Sequence, residues 1–219
     1  MAARIAPFAL LASKGGFTWT GESSDPDSYR RLEKLVWANT NITHSDPRAA
    51  FGAYAIASLL AILARTHSKP MTSSTISPLL SRVVKLTRKM ESRFDNYLTG
   101  THRIQILSQT MERELTCLPE SFQARVPRRL KSASVMEAIP TSVTAFANFP
   151  NDFPQALAWV INRGGNTHGN AAIVGALVGA NVGVEGIPEE WLNFRPDFDQ
   201  ARTLGTDLYK LTYGEFIAQ

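Results

Sequence analysis

The stretch "SDPRAAFGAYAIASLLAILART" constrains the fold more than any other. From Ala49 to Leu63 it holds no charged side chain, and its apolar residues cover nearly every helical angle instead of one stripe. A helix of that kind must be enclosed by other elements or cross a bilayer. The run "AYAIASLLAILA" (53 to 64) falls short of the roughly 20 residues a bilayer requires, and so does the other strongly apolar run, "AAIVGALVGA" (171 to 180). The chain therefore predicts a central helix over 47 to 65 buried among others, with Asp46 as its N-cap and Pro47 as its first residue. At 219 residues and 44% hydrophobic content there is enough chain to enclose it within one domain, residues 1 to 219.

The remaining segments are helical in pattern as well, and the fold class is all-α. "DPDSYRRLEKLVWANT" repeats the start signal, Asp25 capping and Pro26 following, with Leu32, Leu35 and Val36 as its apolar stripe. "SPLLSRVVKLTRKMESRFDNYL" places Leu79, Val83, Leu86, Met90, Phe94 and Tyr97 at intervals of three or four, lines a second face with Arg82, Lys85, Lys89 and Arg93, and ends at Gly100. "HRIQILSQTMEREL" continues as a helix; Pro119, Pro127 and Pro140 then predict a loop. "PTSVTAFANF", "DFPQALAWVIN", a helix over about 170 to 184, "IPEEWL" and "DFDQARTLGTDLYKLTY" complete eight to ten helices.

Composition narrows the function classes. Twenty-three basic against 19 acidic residues give a net charge of +4, modest for a nucleic-acid binder. The basic stripe at 82 to 93 and "RVPRRLK" (125 to 131) read as solvated surface, because no aromatic interleaves with them. Cys117 is the single cysteine, which excludes an intrachain disulfide and fits an intracellular, cytoplasmic setting. "MAARIAPFALLAS" has the outline of a short signal peptide, but Pro7 interrupts it and no basic region precedes the apolar run.

The segment "GGNTHGNAAIVGALVGA" (164 to 180) is the candidate site. Gly164 and Gly165 permit positive φ and close backbone approach, and the free N–H groups of the following helix favour an anion. Within the helix Gly175, Gly179 and Gly183 recur every four residues. Glycine costs about 1 kcal/mol relative to alanine there, which predicts close approach of a neighbouring helix along that stripe.

These residues resemble the ADP-ribosylglycohydrolase family. "WVINRGGNTHGNAAIVGALVGANVGVEGIPEEWL" is similar to its C-terminal signature, a Gly-Gly-Asp-Thr-Asp-Thr loop followed by an Ala/Gly helix and an Ile-Pro-x-x-Trp segment. "MAARIAP" resembles its Met-Arg-x-x-Pro segment, "ITHSDPRAAFGAYAIASLLAIL" its Thr-His-x-Asp-Pro helix, and "AIPTSVTAFANFPNDFPQALAWVINRGG" its approach to the metal loop. The likeness runs from residue 1 to about residue 194. It implies an all-α fold with a central pair of magnesium ions, which bind the terminal ribose of an ADP-ribosyl group and assist cleavage of its bond to a protein side chain. ADP-ribose or ADP-ribosylated protein is then the expected partner.

Two departures follow from the same comparison. The family's ligand positions in the loop fall on Asn166, His168 and Gly169, an amide, an imidazole and no side chain, where magnesium, a hard ion, prefers oxygen. The family's Thr-Asp-Asp metal segment and Gly-Asn-Gly phosphate loop lie upstream of its Met-Arg stretch, where this chain starts. The chain thus matches the C-terminal two-thirds of the fold. The expectations are a hydrolase of the family impaired as this chain alone, or a non-catalytic descendant that binds ADP-ribose or packs against partners. Apolar surface exposed on the central helix, to be covered by a partner chain or a second copy, is also expected.

His44 corresponds to a family histidine near the bound ADP-ribose, and is equally a structural hydrogen-bonder before a helix cap. The expected ligand-binding residues are His44, Gly164, Gly165, Asn166, Thr167 and His168, with no catalytic residue assigned. Arg4 reads either as a phosphate contact or as an exposed terminal charge. His67 and His102 have no partner at metal-ligand spacing. A zinc site from His44, Asn166 and His168 lacks a fourth ligand, and Cys117 in "ELTCLP" has no neighbouring base for nucleophilic catalysis.

Overall fold

In the computed structural model the described residues are 2–14, 26–65, 71–94, 107–115, 134–194 and 197–214. They form ten α-helices and no strand: α1 (Ala6–Ser13), α2 (Pro26–Asn41), α3 (Pro47–Leu63), α4 (Ser73–Glu91), α5 (Leu107–Leu115), α6 (Val135–Asn148), α7 (Phe153–Ile161), α8 (Thr167–Val182), α9 (Glu189–Leu192) and α10 (Asp197–Tyr213). The expected cap at Asp25, Tyr97, Gly100, Pro119, Pro127, the histidines 67 and 102, Cys117 and the basic segment 125–131 lie outside the described residues.

The all-apolar helix is central, as its sequence requires. Asp46 caps α3 by accepting the Arg48 backbone N–H at 2.9 Å, and every residue from Ala49 to Leu63 is buried. Helices α1, α2, α4, α5, α6 and α8 all pack on it. The expectation that α3 would show apolar surface is therefore overturned, because these neighbours enclose it on every side. Large apolar side chains are exposed instead at Ile42, which is 74% accessible, and on and just before α10, where Phe194, Leu204 and Leu211 are 81%, 61% and 76% accessible. Helix α10 reaches the remainder of the fold mainly through α1, where the Ser13 hydroxyl meets the Tyr213 hydroxyl.

Two prolines depart from the expected punctuation. Pro140, expected in a loop, is buried inside α6, and Pro78 lies inside α4, which begins at Ser73 instead of Ser77. Each is the sixth residue of its helix, so the missing N–H removes one bond next to the first turn and leaves the rest of the ladder intact. Burial of Leu79, Leu80 and Val83 holds α4, and burial of Ile139 and Val143 holds α6. The Thr144 hydroxyl donates to the Pro140 carbonyl at 2.7 Å.

The basic face of α4 is partly tied to its neighbours. Arg82 donates to the Tyr29 hydroxyl at 2.5 Å, Arg93 pairs with Glu33 of α2, and Arg88 pairs with Glu112 of α5. Between α4 and α5 the buried Glu91 carboxylate accepts the Ser108 backbone N–H at 3.2 and 3.3 Å, capping α5.

The glycine stripe of α8 faces α7, but it does not enforce a close approach. A Cβ placed at Gly175 would sit 3.8 Å from Phe153 and Leu157, and one at Gly179 3.6 Å from Phe153, ordinary contact distances. Close approach occurs elsewhere, between α3 and α6, where a Cβ at Gly52 would lie 2.9 Å from Ile139 Cγ1 and nearer still to Val135 Cγ2.

Candidate functional site

The loop before α8 is built by its two glycines. Gly164 (φ 75°) and Gly165 (φ 66°) occupy the left-handed region, where a Cβ would be strained. They turn the chain so that Asn166 becomes the N-cap of α8, its Oδ1 accepting the Gly169 N–H at 3.2 Å. The helix therefore starts at Thr167, three residues before its expected start, and the supposed loop residues His168 and Gly169 form its first turn. The physical reason is the Asn166 cap, which satisfies an N–H that a ligand loop would leave free.

A second corner comes from the chain entering α3. Arg4 donates from Nε to Asn39 Oδ1 (3.2 Å) and from Nη2 to the Asn39 carbonyl and Thr43 Oγ1 (both 3.0 Å). This is more than a free terminal charge. Thr43 Oγ1, having accepted from Arg4, lies 2.8 Å from His44 Nδ1. That bond orients the ring and leaves Nε2 as its other hydrogen-bonding atom. Two residues on, Arg48 Nε lies 3.0 Å from both Asp46 oxygens. The hydrogen bond from Arg48 holds the Asp46 carboxyl below the ordinary carboxylate range, with burial opposing.

These corners meet. A cavity of about 240 Å³ has His44, Asp46, Arg48, Ser134, Asn166 and Asn170 as its polar wall and Ala49, Val135, Ala138, Ile139 and Ile173 as its apolar one. Gly169 also lines it. The volume suits a sugar-sized group, being below the 300–1,000 Å³ typical of pockets for larger ligands.

Of the expected residues, His44 and Asn166, about 120 positions apart in the chain, line this cavity together with Gly169. Gly164, Gly165, Thr167 and His168 are not in its lining, and His168 is exposed. The glycines act at one remove, by shaping the turn. Sequence reasoning missed the Asp46–Arg48 pair, Ser134 and Asn170. In the sequence Asp46 reads only as a helix cap, and Ser134 and Asn170 carry no motif that marks them.

The implied magnesium pair does not fit the three loop positions. Asn166 Oδ1 is occupied by the Gly169 N–H, His168 offers nitrogen and points outside the lining, and Gly169 has no donor. Among the described residues no three His, Cys, Asp or Glu side chains cluster as a metal site.

Comparison with known proteins agrees with the architecture. The family model for ADP-ribosylglycohydrolase matches residues 1–216. The chain belongs to the ADP-ribosylglycohydrolase family. It is 27% identical over 185 residues to an uncharacterized protein of Archaeoglobus fulgidus, covering 84% of this chain and 53% of that protein. It is 21% identical over 213 residues to the ADP-ribosylhydrolase ARH3 of Bos taurus and to that of Mus musculus, covering 90% of this chain and 57% and 56% of theirs. The chain thus spans little more than half the length of these relatives. No solved structure matches it. Among the described residues no helix is long and apolar enough to cross a membrane.

Proposed function

We propose that the cavity between the starts of α3, α6 and α8 binds an ADP-ribosyl ligand, and that this chain by itself neither holds the family's magnesium pair nor releases ADP-ribose from modified protein. The observation carrying this reading is the convergence of His44 and Asn166, two of the six residues expected to contact the ligand, on one polar cavity. Membership of the family and the name ADP-ribosylhydrolase borne by two relatives support the ligand class. The amide, imidazole and glycine at the loop positions support the loss of metal-assisted hydrolysis.

His44 supplies its Nε2, Arg48 a positive charge already shared with Asp46, and the first turn of α8 a partial positive charge, all suited to oxygen-rich groups. Calorimetry should find ADP-ribose binding that does not depend on magnesium and is weakened in His44→Ala. A turnover assay on ADP-ribosylated protein should find no release. Magnesium-dependent hydrolysis by the purified 219-residue chain would overturn the proposal.

A second reading, packing against another polypeptide, is favoured by the exposed Leu204 and Leu211 of α10 and Phe194 beside it. Light scattering that finds a monomer at all concentrations would remove it.

A further inference from the structure

Among the described residues, Asn170 is the one with two buried side-chain polar atoms left unpaired. It is 1% exposed, lies in the first turn of α8, and lines the cavity, yet neither its Oδ1 nor its Nδ2 has a hydrogen-bond partner among the described residues. Its neighbour Asn166 differs, since that amide is spent on the helix cap. Buried side-chain polar atoms are nearly always paired, and leaving both ends of an amide unpaired destabilises a fold. A group in that state at a cavity wall can be paired by a partner that enters the cavity.

The chemistry of the amide selects the partner. Its oxygen only accepts and its nitrogen only donates, side by side. A metal cation would satisfy the oxygen and leave the nitrogen bare. A phosphate oxygen would satisfy the nitrogen and face the oxygen with like charge. A sugar diol offers a hydroxyl donor next to a hydroxyl acceptor and satisfies both; an adenine edge does so too, and ligand analogues lacking a hydroxyl separate the two.

We propose that Asn170 is the specificity-determining contact of the cavity, its carboxamide donating to one hydroxyl and accepting from the next in a vicinal diol of the ligand. The inference rests on the ADP-ribosyl reading of the site and adds the group recognised and the residue that recognises it. Ile173, one turn further along α8, and Ile139 of α6 line the apolar side of the same cavity, where the carbon face of a sugar ring can rest. The Asp46 carboxylate is already shared with Arg48 and does not compete for the diol.

The test uses the full chain, with Asn170→Leu, similar in size and apolar, and Asn170→Asp, which keeps the shape and loses the donor. Without ligand, Asn170→Leu should melt above the wild type, because it removes an unpaired buried amide. Its affinity for ADP-ribose should fall on the order of tenfold or more, the loss of two hydrogen bonds. Asn170→Asp should lose affinity as well. ADP-ribose analogues lacking a hydroxyl on one ribose or the other should include one that binds the wild type as weakly as ADP-ribose binds Asn170→Leu, with no further loss when both changes are combined. An Asn170→Leu chain that melts lower shows the amide to be satisfied within the protein and overturns the inference. Unchanged ADP-ribose affinity in that variant overturns it and leaves the site reading standing, whereas a wild type that does not bind ADP-ribose removes both. Should Asn170→Leu fail to fold, Asn170→Asp decides: affinity equal to the wild type, or binding gained only with magnesium, overturns the diol assignment.

Discussion

Gly52→Ala tests whether the α3–α6 crossing fixes both the stability of the fold and the shape of the cavity. The new Cβ would stand 2.9 Å from Ile139 Cγ1, 3.4 Å from Ile139 Cδ1 and deeper still against Val135 Cγ2. Carbon atoms rest at about 3.5–4.0 Å, so the overlap with Ile139 alone is roughly 0.6–1.1 Å. Relief by rotation is restricted, because a β-branched side chain in a helix has one strongly preferred rotamer, and Ile139 is 1% exposed. The backbone of α6 must therefore move. Overpacking of this kind costs about 1–3 kcal/mol, and the helix-propensity gain of alanine returns up to about 1 kcal/mol. Because the contact with Val135 Cγ2 is so deep, the cost lies in the upper part of that range, about 2–3 kcal/mol, and the net destabilisation is about 1–2 kcal/mol, a fall in melting temperature of about 2–8 °C for a chain of this size. Val135 and Ile139 also line the cavity, so ADP-ribose affinity should fall with stability. Circular dichroism melts paired with calorimetry measure both, and adding Val135→Ala should restore part of the loss. A Gly52→Ala chain that melts at or above the wild type would refute the reasoning, showing that propensity outweighs the contact.

The glycine stripe of α8 gives the opposite sign: Gly175→Ala and Gly179→Ala, meeting only ordinary contacts at 3.6–3.8 Å, should each raise stability by about 0.5–1 kcal/mol in a thermal melt, and a loss at either position would show close approach after all. Burial raises the Glu91 carboxyl above its ordinary value despite its bonds from Ser108, so the folded state holds that proton more tightly than the unfolded chain. Its contribution to stability therefore falls as pH rises from the ordinary carboxylate value through the raised folded one, and levels off above it. Glu91→Gln should melt above the wild type at neutral pH and converge with it in acid; parallel melting curves across that range would exclude the effect.

Caps and apolar periodicity were legible because they act over four residues. Asp46–Pro47 starts α3 as read, and Asp152, whose Oδ1 accepts the Gln155 N–H at 2.9 Å, starts α7 just before Pro154. Pro140 reads as a break and Pro78 as part of a helix start, although at the sixth position of α6 and α4 packing outweighs one lost bond. The cover over α3 was not legible, since an all-apolar helix states that it needs neighbours and does not state which. Of the residues lining the cavity, the family likeness singles out His44 and Asn166, and Gly169 as a family metal position, but not Asn170. In "HGNAAIV" nothing distinguishes a buried unpaired asparagine from a solvated one; its burial is set by the α6 and α3 surfaces that meet α8.

The loop's departures from the family pattern are sterically coupled. A Cβ at Gly169 would stand 2.6 Å from Asn166 Nδ2 and 2.9 Å from its Cγ, so the capping amide occupies the space a side chain at 169 would need. Introducing the family's threonine at 169 alone would expel the Asn166 side chain and forfeit a cap worth about 0.5–2 kcal/mol. Introducing an aspartate at 166 alone would keep an acceptor for the Gly169 N–H, at a helix N-terminus that favours negative charge, and the carboxylate would remain engaged as a cap. Neither single change builds a metal site. Asn166 and Gly169 fit each other as a closed helix start, in which the N–H that would otherwise face a ligand is bonded to the chain itself. The next polar side chain along the helix, Asn170, lines the cavity together with His44.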